Sequence, residues 1–135
     1  MLKYMLDTNI VIYVIKRRPI EALKIFNLYA GQECISSVTL AELLHGVEKS
    51  GRPEHNLHQV EDFVSRLEVL EYGIKAASHY GNIRADLERK GTPIGVNELH
   101  IAGHARSEGL ALVTNNLGEF ERVEALRLEN WVSPR

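Results

Sequence analysis

The sequence predicts a three-layer α/β fold, with a mostly parallel sheet of four to five strands flanked by helices. Two observations carry this expectation. Short, largely apolar runs recur along the chain: LKYML, ECISS, EVLEY, LALVT and LRLENW. Every gap between them holds at least one stretch of helical periodicity, and such alternation places strands side by side in parallel with helices packed over them. The chain has 135 residues, 44% of them apolar, which fits a single compact domain over 1–135.

The elements follow in order. LKYML is the first strand. Residues 10–15 carry Ile10, Val11, Tyr13, Val14 and Ile15, which suit a strand or, with Asn9 as N-cap, a short helix ending at the basic KRR and Pro19. Pro19 fits the first turn of the next helix, whose apolar residues are Ala22, Leu23, Ile25, Phe26 and Leu28, and Gly31 ends it. ECISS is the second strand. Leu40, Leu43, Leu44 and Val47 then form one helical stripe, with Ser37 as its expected N-cap. KSGRP breaks that helix. Residues 53–67 form the next, with Leu57, Val60, Phe63, Val64 and Leu67 facing inward. EVLEY is the third strand, and residues 73–90 are a helix stopped by Gly91 and Pro93. Asn97 is placed to cap a helix running to Gly109. LALVT is the fourth strand, LGEFERV a short helix, and LRLENW the last strand.

Composition narrows the function classes. Charged residues are 25% and the formal net charge is −2, so no overall basic excess announces a nucleic-acid partner. Any such contact must rest on local patches or metal ions. The one cysteine, Cys34, suits a reducing compartment and reads as a small buried strand residue. No apolar run approaches the ~20 residues of a membrane span, and no signal-peptide pattern opens the chain, so the expected location is cytoplasmic.

In open parallel sheets the functional groups lie beyond the carboxyl ends of the strands. Asp7 follows the first strand there, and Asn115 and Asn116 follow the fourth. Glu42 sits among Leu40, Ala41, Leu43 and Leu44, and Glu98 shares a helical face with Ile101, Ala102 and Ala105. Each has a bland reading: Asp7, Asn9 and Asn116 as helix caps, Glu42 as an exposed acid, Glu98 as a complement to a helix dipole. Together, three acids and an amide at one sheet edge repel one another unless a cation neutralises them. Hard oxygen ligands select Mg²⁺ or Mn²⁺ over zinc, and that chemistry supports phosphodiester hydrolysis. His100 and His104 are spaced like a zinc pair but lack an HExxH pattern, and read as surface or packing residues. No GxxxxGKS or GxGxxG is present.

MLDTNIVIY, SSVTLAELLHGV, GTPIGVNELHIAGHA and LALVTNNLGEFERV resemble, in order and spacing, the motifs of PIN-domain ribonucleases, and most closely the VapC toxins of VapBC toxin–antitoxin systems. The resemblance implies a PIN-like fold and a metal-dependent endoribonuclease. It makes Asp7, Glu42 and Glu98 the metal-holding acids, with Asn116 orienting a ligand. Thr8, Asn9 and Thr114 support the site, and Glu119 matches a further acid seen in many members. It also implies structured RNA as substrate, with the anticodon stem-loop of initiator tRNA the favoured target. The implied partners are a second copy of the chain and a VapB-type antitoxin whose C-terminal segment blocks the site. Lys16, Arg17, Arg18 and Arg84 have a bland reading as solvated helix ends and a functional one as phosphate contacts.

One motif departs from the family. Its third acid is usually Asp and here is Glu98, whose extra methylene lengthens its reach by roughly 1.5 Å. The expected consequence is an intact fold with reduced activity. Two rival readings follow. One is a PIN-like binding module with a dead metal site. The other is a haloacid-dehalogenase-like phosphatase, which wants a second aspartate two residues after the first, where this chain has Asn9.

Overall fold

The computed structural model describes residues 1–132. The elements run β1 (Tyr4–Leu6), α1 (Thr8–Lys16), α2 (Ile20–Leu28), β2 (Glu33–Ser36), α3 (Ser37–Glu48), α4 (Pro53–Val64), β3 (Glu68–Leu70), α5 (Ile74–Arg89), α6 (Val96–Ser107), β4 (Ala111–Val113), α7 (Leu117–Phe120) and β5 (Leu128–Glu129). The strands form one sheet of order β3-β2-β1-β4-β5, and every pairing is parallel. The order runs outward from β1 in both directions, so the β1–β4 boundary is the switch point at which the chain changes side.

Side-chain alternation along the central strands divides the interior into two layers. Met5, Cys34 and Leu112 pack with Ile83 and Leu87 of α5, Leu99, Ile101, Ala102 and Ala105 of α6, and Phe120 of α7. Leu6, Ile35 and Val113 point the other way, onto Ile10, Val11 and Val14 of α1, Phe26 of α2, Leu43 and Val47 of α3, and Val60 and Phe63 of α4. The three-layer expectation therefore holds, with a sheet that is parallel throughout. Cys34 is buried in it, as expected of a strand residue, and burial pushes its thiol up to about 12. Among the described residues no helix is long and apolar enough to cross a membrane.

The helix starts differ from those expected. Asp7, not Asn9, caps α1, because its Oδ1 accepts the Ile10 N–H at 3.1 Å and lets the helix begin one residue after the strand. Ser36, not Ser37, caps α3 through the Val38 N–H at 3.0 Å. Gly95, not Asn97, occupies the N-cap of α6, and Pro19 stands just before α2 rather than within its first turn. Helix α4 stops at Val64, although Leu67 beyond it still packs on the core.

The α5–α6 pair owes its close approach to Gly103. A Cβ at that position would stand 2.9 Å from the Tyr80 backbone nitrogen and 3.2 Å from the Ala76 carbonyl. Backbone cannot rotate away as a side-chain end can, so the helices must separate. Gly103→Ala is expected to destabilise the fold by about 1–3 kcal/mol, read as a lowered urea midpoint at unchanged slope.

Candidate active site

Residues that follow the two central strands meet at the switch point. The Asp7 N–H donates to the Val113 carbonyl at 3.0 Å, extending the β1–β4 ladder by one step and pinning Asp7 beside the end of β4. Its side chain is buried at 6% exposure. Thr114, the residue after β4, is fully buried, and its hydroxyl accepts the Asn116 N–H at 2.9 Å. Asn116 stands at the N-cap of α7 but makes no side-chain cap bond, so its amide is not committed to the helix.

The electrostatics of Asp7 are contested. Burial raises its pKa; hydrogen bonds from Thr114 and the Ile10 and Asn9 backbone lower it; the Glu98 carboxylate raises it again. The net shift is upward, so the ionised form is held at a cost at this rim.

Glu42 reaches the site from the second turn of α3. The Thr8 hydroxyl donates to its Oε1, and Asn97 Nδ2 donates to its Oε2 at 2.5 Å. One carboxylate thus ties together the starts of α1 and α6 from within α3. Glu98 follows Asn97 in the first turn of α6 and is half-buried. In α7 the Glu119 side chain is half-buried, with Oε1 shielded and without a hydrogen-bond partner. Asn9 is exposed on α1. Among the described residues no three His, Cys, Asp or Glu side chains are grouped closely enough to hold one ion. The donors at the rim are nevertheless all oxygen, and a buried carboxylate pressed by a like charge is the environment a hard divalent cation relieves. Asp7 and Glu98 are the two acids whose charges meet at this rim, and Glu42 is tied by Thr8 and Asn97 to the starts of α1 and α6.

Of the basic residues, Lys16, Arg17 and Arg18 are exposed at the end of α1. Lys16 lines a cleft of about 300 Å³ that also reaches Thr8 and Glu42, so it shares a groove with the site. Arg17 lines a second cleft of about 450 Å³ between α1, α2 and α4, together with His55, His58 and Arg66. Arg84 is engaged on α5 by Glu88 at 3.2 Å and by the Tyr80 hydroxyl at 2.5 Å.

Several contacts escape sequence reasoning. Asn115 Nδ2 donates to the Tyr13 hydroxyl at 3.0 Å, tying the loop after β4 to α1 across 102 positions of sequence. Asn97, expected only as a cap, supports Glu42 instead. His104 is buried with Nδ1 2.8 Å from the Ser36 hydroxyl, and His100 stacks on Tyr80, so of the surface and packing alternatives both take packing. Glu33, at the start of β2, is 2% exposed with both carboxylate oxygens unpartnered. Burial pushes it up to about 8.

Comparison with known proteins places these residues in context. The family model for the PIN domain matches residues 4–126. A curated protein called Ribonuclease VapC2, from Haemophilus influenzae strain Rd, is 65% identical over 98% of this chain and 100% of its own length. A protein of Shigella flexneri called tRNA(fMet)-specific endonuclease VapC is 58% identical, covering 97% of this chain and 99% of itself. Among solved structures, DNA-bound VapBC from Salmonella typhimurium superposes with a TM-score of 0.94 at 57% identity, over 98% of this chain and 100% of the other.

Proposed function

The chain belongs to the PIN-domain family, and from that premise we propose that it is a VapC-type toxin: a Mg²⁺- or Mn²⁺-dependent endoribonuclease acting on structured RNA, with initiator tRNA as the favoured target. The observation that carries this reading is the meeting of Asp7, Thr114, Asn116 and Glu98 at the β1–β4 switch point, where the topology leaves an opening for a ligand.

In this reading Asp7 and Glu98 would supply the anionic oxygens that hold an ion directly, and Glu42, not grouped with them around one ion, would hold a second ion or act through an intervening water. When bound, the ion would supply Lewis-acid stabilisation of a phosphoryl oxygen and a more acidic water. The remaining work falls to the protein. Thr114 and the backbone of Ile10 and Asn9 hold the Asp7 carboxylate in place. Thr8 and Asn97 orient Glu42. Asn116, free of capping duty, is available to a water or a phosphate oxygen, and Lys16 stands in the adjoining cleft as a phosphate contact. Asn9, exposed on α1, and Glu119, in the first turn of α7, would support substrate or water in the same reading.

The partners follow from the same surfaces. The Salmonella, Rickettsia and Haemophilus relatives were solved as VapBC, and a 26% identical relative from Mycobacterium tuberculosis is described as a member of the VapBC family of toxin–antitoxin systems. The cleft beside Thr8 and Glu42 is floored by Ile12, Ile15, Leu43, Val47 and Val60, an apolar trough suited to an antitoxin segment. A second copy of the chain is the other partner in this proposal. The single-domain organisation over 1–135 and a cytoplasmic site of action belong to the same proposal.

Purified initiator and elongator tRNAs incubated with Mn²⁺ test the substrate assignment. Cleavage confined to the anticodon stem-loop of the initiator supports it, and equal cutting of all tRNAs removes it. If no RNA is cut while RNA is still bound, the binding-module reading takes its place. Glu98→Asp is expected to raise cleavage at limiting Mg²⁺ by about tenfold, through better placement of the ion. Equal rates for the two chains would show that the glutamate is fully accommodated.

A further inference from the structure

Glu98 departs from the aspartate expected in its motif, and the fold makes room for it in one specific place. Gly95, three residues earlier, is the N-cap of α6. The Glu98 side chain folds back over it. A Cβ built on Gly95 would land on Glu98 Oε1, with Cδ 3.1 Å and Oε2 3.8 Å away. The backbone does not require glycine there: φ is −61° and ψ 153°, open to any L residue. Gly91, in the turn before, is the opposite case, with φ of +72° and no atom within 4 Å of an added Cβ. Gly91 therefore serves conformation, whereas Gly95 serves space. The helix start is anchored from the other side, since Asn97 donates to Glu42 at 2.5 Å. An added Cβ at position 95 would consequently act on the Glu98 side chain and not on the helix.

We propose that Gly95 is a positioning residue: the room left by its missing Cβ takes up the extra methylene of Glu98 and returns the carboxylate to the rim beside Asp7. The inference rests on the reading of the rim as a divalent-cation site. It assigns Gly95 and Glu98 as a pair in which the missing Cβ lets the longer side chain keep its carboxylate at the rim.

The test is a double-mutant cycle read by Mn²⁺ titration calorimetry on the full chain, with no RNA present. Gly95→Ala is expected to weaken Mn²⁺ binding about tenfold or more in the native Glu98 background. In the Glu98→Asp background the same change is expected to cost less than about twofold, because the shorter acid does not reach over residue 95. Thermal melts without metal accompany the cycle, and Gly95→Ala in the Glu98→Asp background serves as the folding control. Equal losses in both backgrounds, no loss in either, or tighter binding by Gly95→Ala alone would overturn the positioning role while leaving the cation site standing. Binding only by the Glu98→Asp chains would overturn it as well. Absence of Mn²⁺ binding to both the native chain and Glu98→Asp would instead overturn the cation reading beneath it.

Discussion

Asp7→Asn is expected to abolish RNA cleavage while leaving the protein at least as stable as before. The carboxylate is the most buried acid at the rim, and its loss is expected to lower kcat/KM by about 10³-fold, or ~4 kcal/mol of transition-state stabilisation. The fold loses little, because asparagine caps a helix as well as aspartate and can still accept from the Ile10 N–H. The sign of the stability change follows from linkage. Burial raises the folded-state pKa of Asp7 above its unfolded value. The stabilising, protonated condition is therefore complete below the unfolded pKa and is lost as pH rises through the folded one. Asparagine carries no such loss, so the variant gains on the native chain at neutral pH. A steady-state assay beside a thermal melt separates the two effects; a variant that loses activity and melts early would mean that Asp7 is structural.

The second large effect lies far from the rim. Glu33 opens β2 on the same face as Ile35, within the layer that holds Leu6, Phe26 and Phe63. Neither carboxylate oxygen has a hydrogen-bond partner, and burial lifts the group from 4.5 to about 8. The acid is neutral in the folded state and ionised in the unfolded chain across that interval. Its contribution to stability is fully present below 4.5 and is lost as pH rises toward 8, which amounts to about 3 kcal/mol by pH 7. Glu33→Gln keeps the shape and removes the titration. Urea unfolding should give nearly equal stabilities for the two chains at pH 4.5, with the variant pulling ahead by about 1.4 kcal/mol per pH unit up to pH 8. Parallel pH profiles would contradict the account.

The same residue marks a limit of sequence reading. A glutamate at the start of a strand looks like an ordinary polar boundary. In a parallel sheet covered on both faces, however, the boundary of a central strand is itself interior. The fold class was legible because strand and helix periods alternate without interruption from Tyr4 to Glu129. Helix starts were not, since they turn on which neighbouring oxygen reaches which N–H: Asp7 over Asn9 and Ser36 over Ser37. At the site, the strand-end rule was enough to bring Asp7 and Asn116 together from sequence. It could not supply the links between helices. Asn97 to Glu42 spans 55 positions and Asn115 to Tyr13 spans 102, and neither separation leaves a periodic trace. The folding back of Glu98 over Gly95 is illegible for a different reason, because it depends on a side-chain path and on an atom that is absent.

In the proposed function the β1–β4 rim hydrolyses RNA with a divalent cation held by Asp7 and its neighbouring acids. The most direct measurement is cleavage of end-labelled initiator tRNA by the native chain as Mn²⁺ is titrated into metal-stripped protein. A saturable rise in cleavage, reversed by chelator, is the predicted result. Cleavage that proceeds unchanged in excess chelator would contradict it.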